Sequence, residues 1–297
     1  MNSKSIVVLG AAVAVLSVII TLSLITFEET PVISTTITST PIILKIEGMG
    51  PPVYYAQYDL FDVYAFLDDL YGFTEDGRPI YNHIQIEFNP ENSELYDEIK
   101  YLDYGQKTVF IAPIFTMTAY GPSGFYEYFD GECDESCITS VPIAYNESPK
   151  FTSTATSMKI LNLLGYPFLT DIEVDKYPEI LKKFDKVIVL HNEYVTKKEF
   201  EAITQHPNVI YLHPNALYAE IEVDYEEDTI SLVRGHGHPD PEIINGFNWE
   251  FDNSDLEYDL NCDNWEFYEI KNGIMLNCYP EQIIFQNATL LRMIKEY

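Results

Sequence analysis

The 297-residue chain carries 47 Asp and Glu against 17 Lys and Arg, a formal net charge of −30. Such a surface repels phosphate backbones and anionic headgroups, which excludes nucleic acid and acidic lipid surfaces as partners. Hydrophobic residues make up 46% of the chain and aromatics 14%, enough for a large buried core.

In chain order, the first feature is Ile6 to Thr26, a run without a charge. It has the ~20 residues a helix needs to cross a bilayer core about 30 Å thick. Lys4 precedes the run and Glu28 and Glu29 follow it. This asymmetry predicts a single-pass anchor over 6–26, with residues 1–5 cytoplasmic and the rest of the chain outside the cytoplasmic membrane. A cleaved signal peptide is the alternative, but its apolar core is shorter and ends in small residues, whereas this run ends in LITFEET. Residues 27–50 predict a stalk, of which Pro31 to Pro41 is Ser/Thr-rich and uncharged.

The folded part divides by pattern into 51–225, where helices and strands alternate, and 226–297, where short alternating stretches predict an antiparallel subdomain. Asp59 to Tyr71 places Leu60, Val63, Phe66, Leu67 and Leu70 on one helical face. His83 to Phe88 predicts a strand, Ser93 to Leu102 a helix, and Thr108 to Ala112 (TVFIA) a buried strand. Thr152 to Leu164 predicts a helix ended by Gly165 in the left-handed conformation. Lys186 to Leu190 (KVIVL) is a second buried strand, Thr196 and Glu199 form a capping box that opens a helix, and Asn208 to Leu212 (NVIYL) is a third. Strand–helix–strand units of this length imply parallel pairing. Strands are expected at 218–223, 229–234, 265–270 and 274–279, and a last helix at Thr289 to Lys295.

Cys133, Cys137, Cys262 and Cys278 are an even set in an exported domain. Locality favours the disulfides Cys133–Cys137 and Cys262–Cys278, with a four-thiolate zinc site as the alternative. Asn146 and Asn287 open N-x-S/T triplets.

Ligands of an open parallel sheet bind beyond the carboxyl ends of its strands. The segments that follow TVFIA, KVIVL and NVIYL would converge there, bringing together Tyr120, Tyr126, His191, Glu193, His213 and Asn215. A histidine and a carboxylate two positions apart suit a metal ligand with its partner, or an acid/base pair. The same spacing equally fits residues that only hydrogen-bond loop backbone. Further on, His236 and His238 stand at i and i+2, so on a strand they would share a face and a metal, with Asp240 as a further oxygen ligand. Phe251 to Asn264, rich in Asp and Asn, does not fit the ligand spacing of a calcium loop and is expected as a surface loop.

The order KVIVLHNEYVTKKEFEAI, then NVIYLHPNALYAEI, with TAYGPSGFY upstream, resembles the C-terminal catalytic region of the large subunit of N,N-dimethylformamidase. That resemblance implies a doubly wound, mostly parallel α/β fold similar to class I glutamine amidotransferases. It also implies a mononuclear iron held by a glutamate and two tyrosines beside a histidine. Carried onto this chain, the metal ligands are Glu193, Tyr120 and Tyr145, the neighbouring histidine is His191, and the catalytic set is His191, Glu193 and Asn215. His236 and His238 remain the second candidate pair for a single iron or zinc ion. Amidotransferase chemistry itself is excluded, because no cysteine stands on a strand-to-helix elbow with a histidine partner. The expected function is a membrane-anchored, metal-dependent hydrolase of small amides. The alternative is a non-catalytic surface protein that binds a ligand or an envelope component.

Overall fold

A computed structural model describes residues 50–297 apart from Pro51, Tyr58, Asp59, Asp103, Tyr104 and Asn146. The expected anchor over 6–26, and the expected stalk up to Met49, lie outside the described residues. Among the described residues no helix is long and apolar enough to cross a membrane.

The chain forms a mixed α/β fold. Its strands are β1 (Val53–Gln57), β2 (Phe61–Ala65), β3 (Leu70–Phe73), β4 (Pro79–Tyr81), β5 (Ile84–Phe88), β6 (Thr108–Ala112), β7 (Val141–Pro142), β8 (Phe168–Thr170), β9 (Lys186–Val189), β10 (Tyr194–Thr196), β11 (Val209–Tyr211), β12 (Ala219–Asp224), β13 (Thr229–Arg234), β14 (Phe267–Ile270) and β15 (Gly273–Leu276). The helices are α1 (Ser93–Ile99), α2 (Ile114–Ala119), α3 (Phe125–Phe129), α4 (Ser136–Thr139), α5 (Ala155–Leu163), α6 (Asp171–Lys176), α7 (Lys197–Gln205) and α8 (Ala288–Glu296).

The central sheet has the order β14-β15-β11-β9-β6-β8, parallel throughout except for β14. Burial on both faces explains its apolar runs. Phe110, Ile188, Ile210, Leu212 and Leu276 pack on one side with Ile160 of α5 and Leu291 of α8. Val109, Ile111, Val187, Val209 and Met275 pack on the other with Val174 of α6 and Ile203 of α7. As expected, β9, α7 and β11 form a parallel unit. The Thr196 hydroxyl accepts from the Glu199 amide at 3.2 Å, and the Glu199 carboxylate accepts from the Thr196 amide at 3.0 Å. Gly165 takes φ +89°, the left-handed turn expected after α5.

A smaller sheet, β10-β12-β13-β7, and the antiparallel sheet β1-β2-β5 complete the fold, with the hairpin β3-β4.

Two expectations are corrected. The helix expected over Asp59–Tyr71 is, from Leu60 on, no α-helix: β2 alternates buried and half-buried residues over Phe61–Ala65, a single 3-10 turn covers Leu67–Asp69, and Leu67 and Leu70 are exposed. Phe61, Val63 and Ala65 fit period two, and β2 is stabilised by pairing with β1 and β5, which local periodicity does not register. Nor do residues 226–297 fold as a separate antiparallel subdomain. β15 pairs in parallel with β11 and so extends the central sheet, while β13 joins β12 and β7.

Both cysteine pairs are disulfides, Cys133–Cys137 and Cys262–Cys278. The second closes a loop with a sequence separation of 16. Replacing both its cysteines by serine is expected to lower the unfolding free energy by about 3 kcal/mol in the chain-entropy model, read as a shift in the urea midpoint.

Candidate metal centre

The carboxyl ends of β6, β9, β11 and β15 deliver Ile114, His191, His213 and Tyr279 toward one edge of the central sheet. There the backbone of Glu193 is fixed from two sides. Its amide donates to Thr116 Oγ1 of α2 at 3.0 Å, and its carbonyl accepts from the amides of Tyr218 and Ala219 at 3.0 and 2.9 Å. The side chain of Glu193 is fully buried.

His191 is equally enclosed. Its Nδ1 lies 2.7 Å from the carbonyl of Thr152 and donates to it, which turns Nε2 inward. That Nε2 faces Glu193 Oε2 at 3.7 Å and Glu257 Oε1 at 3.6 Å. The three atoms all lie within 4.8 Å of one another. His191 Nε2 and Glu193 Oε2 are buried and have no hydrogen-bond partner. These three atoms thus converge on one point, beside the Tyr120 hydroxyl.

The surrounding groups orient the carboxylates. Glu193 Oε1 accepts from His236 Nε2 at 2.7 Å and from the Tyr126 hydroxyl at 3.2 Å. The Tyr126 and Tyr120 hydroxyls lie 2.6 Å apart, with the two rings stacked at 4.0 Å. Glu257 Oε2 accepts from Asn215 Nδ2 at 3.0 Å. His236 reaches Glu193 because Gly235, at φ +124°, lets the backbone approach Ala219, where a Cβ would stand 2.9 Å from the Ala219 Cβ.

Burial raises the Glu193 carboxyl, but the His236 hydrogen bond and the histidine charges outweigh it and hold the group below its ordinary value. Glu257 is pushed up to about 6 by burial and by the charge of Glu193, against the pull of His191. Tyr120 and Tyr126 are both raised, first by burial and then by Glu193, so both stay protonated donors. The two carboxylates are therefore driven apart in proton affinity.

The structure brings Tyr120, Tyr126, His191, Glu193 and His236 together. Asn215 is a positioning residue for Glu257, and its amide is tied to Asn253 Oδ1 at 3.2 Å. His213 lies one layer deeper. Its ring is 6.4 Å from that of His191 and its Nε2 is 3.0 Å from Glu281 Oε1. Burial lowers its proton affinity.

Three candidates fall away. Tyr145 is 48% exposed, and its hydroxyl donates to Asp228 Oδ1 at 2.8 Å. Pairing of β7 with β13 carries it to the surface, and Tyr126 stands in the pocket instead. His238 does not share a site with His236. The segment is a turn closed by Gly235 and His238, with His236 at φ 52°, so the same-face rule for strands does not apply. Asp240 only receives the amide of Glu242 at 3.0 Å.

Glu257 was missed. It follows the short 3-10 helix Ser254–Leu256 inside the acidic run expected as a surface loop, and only its burial distinguishes it from its acidic neighbours. No protein-family model matches the sequence, and comparison with curated proteins returns no match.

Proposed function

We propose that this pocket is the mononuclear metal centre of a hydrolase acting on small amides, in an α/β domain of the class I glutamine amidotransferase type held outside the cytoplasmic membrane by the N-terminal anchor. The observation that carries the reading is the convergence of His191 Nε2, Glu193 Oε2 and Glu257 Oε1 within 4.8 Å of one another, the first two buried without a hydrogen-bond partner. Ligands about 2.1 Å from a tetrahedral ion lie about 3.4 Å apart, close to the 3.6 and 3.7 Å found here. One imidazole and two carboxylates suit iron or zinc. The resemblance to dimethylformamidase supplies the amide, and it agrees on Glu193, Tyr120 and His191 while the second tyrosine differs.

A bound ion of this class acts as a Lewis acid and lowers the pKa of bound water. The chain's own groups do the rest. His236 and Tyr126 hold Glu193 in one rotamer, and Asn215 holds Glu257. Glu257, the less enclosed of the two carboxylates, would hold the ion through Oε1 at the open side of the pocket. Tyr120 keeps its proton beside both carboxylates and serves as a donor to a developing oxyanion.

The test is elemental analysis of the purified full-length chain. About one iron or zinc per chain is expected, lost on dialysis against a chelator. A chain that retains no metal, even after incubation with each ion, would overturn the metal centre, and the surface-binding alternative would then hold.

A further inference from the structure

Glu257 reaches the pocket on the loop 253–262, which is held at both ends. At one end the buried Asn253 accepts the Asn215 amide at 3.2 Å through Oδ1. At the other the buried Cys262 is bonded to Cys278. Between them Asp255, Tyr258 and Asp259 are exposed, and the regular structure is the short 3-10 helix Ser254–Leu256. A loop with so little core of its own takes its position from its ends.

Cys278 stands beside the support of a second ligand. Tyr279 follows it, and its ring lies edge-on to that of His191 at 5.3 Å. The Tyr279 hydroxyl donates to the Phe151 carbonyl at 2.8 Å, next to Thr152, whose carbonyl accepts from His191 Nδ1. The Tyr279 amide donates at 2.9 Å to the carbonyl of Asp259, two residues beyond Glu257. Asp259 Oδ1 in turn accepts from the Cys262 amide at 3.0 Å. The disulfide thus sits where the loop of Glu257 meets the residues that hold His191.

We infer that the Cys262–Cys278 disulfide is a positioning element of the metal centre: it holds the loop so that Glu257 Oε1 stands 3.6 Å from His191 Nε2. The inference rests on the metal-centre reading for the ion, while the placement of the loop stands on the contacts of Asp259, Cys262 and Tyr279. Two facts favour positioning over stabilisation alone. Cys262 is five residues from Glu257, so slack at that end passes to the carboxylate, and a metal–ligand distance tolerates only about 0.2 Å. Glu257 is also the ligand least fixed by the sheet, since His191 and Glu193 follow β9 closely whereas Glu257 belongs to the loop. Groups that orient a metal ligand contribute about 10–100-fold to metal affinity. The lower figure is expected here, because the hydrogen bonds from Asn215 and Tyr279 persist without the disulfide.

The experiment measures the zinc affinity of the full chain by competition with a chromophoric chelator. Cys262→Ser combined with Cys278→Ser is expected to weaken zinc by about tenfold. Ile294→Ala, a buried truncation in α8 that also lowers stability, is the control and should bind as the wild type does. Glu257→Gln should weaken zinc by about 100-fold, and adding the two serines to it should cost less than about twofold more, because the disulfide acts through Glu257. If the serine pair does not fold, Cys262→Ala with Cys278→Val fills the same apolar cluster and takes its place. Unchanged zinc affinity in the double variant, or a tenfold loss that persists on top of Glu257→Gln, overturns the inference. A wild-type chain that binds no zinc overturns the metal-centre reading, and hydrogen exchange over 254–261 then decides the placement of the loop. Faster exchange in the serine pair than in Ile294→Ala upholds the positioning role, and equal exchange overturns it.

Discussion

Glu193→Gln is expected to reduce metal affinity by about 100-fold or more. Replacing a group that only orients a ligand costs roughly 10–100-fold in metal affinity, so losing a ligand charge belongs at or beyond the upper end. The retained Oε1 still accepts from His236 and Tyr126, so the side chain keeps its place while its charge is lost. In the metal-free protein the melting midpoint is expected to fall, because the pocket holds the Glu193 carboxyl below its ordinary value and so favours its charged form. Elemental analysis and thermal unfolding of the same sample read both effects. Full metal occupancy in the variant would make Glu193 a structural residue and remove the metal centre.

The second large effect is expected at Glu281, fully buried just after β15. Its carboxylate closes the first turn of α5. Oε2 accepts from the Thr156 amide at 2.7 Å, and Oε1 accepts from the Ser157 amide and from His213 Nε2, both at 3.0 Å, as well as from the Ser157 hydroxyl. The α5 amides have no partner within the helix, so the carboxylate meets the positive end of the helix dipole. Glu281→Ala leaves two amides, a hydroxyl and an imidazole without an acceptor in a dry interior. The expected loss is about 3–5 kcal/mol, the range for breaking a buried charged network from one side. Glu281→Gln keeps one acceptor oxygen and should lose about 1–3 kcal/mol. Urea denaturation distinguishes the two variants, and a loss below ~1 kcal/mol for the alanine would show that His213 and α5 find other partners. His213 sat among the site candidates because it follows β11 at the same sheet edge as His191. Its partner Glu281 makes it part of this cap.

Much of the framework is local chemistry and could be read directly. TVFIA, KVIVL and NVIYL are apolar on both faces, and a strand with that property belongs in the middle of a covered parallel sheet. Thr196 and Glu199 satisfy each other's amides within one turn, and the cysteines pair with their nearest neighbours. His191 and Glu193 follow a buried strand directly, so their place at its carboxyl end needs no long-range information.

The remainder depended on which distant segments meet. Glu257 lies in an acidic loop whose residues look alike until one of them is buried against His191. Tyr126 takes the place expected for Tyr145 because β7 pairs with β13 and draws Tyr145 outward. Phe61–Ala65 became a strand because two neighbours pair with it, and β15 entered the central sheet because β11 offered a parallel edge. The sequence by itself determined the buried parallel strands β6, β9 and β11, the Thr196–Glu199 cap and the position of one histidine–glutamate pair, since these follow from side-chain period and from hydrogen bonds a few residues long. Only the tertiary structure decided the third carboxylate, the tyrosines and the deep Ser157–His213–Glu281 cap, since a binding site is a convergence of atoms far apart in the chain, and burial, which selects among chemically identical candidates, is a property of the whole fold.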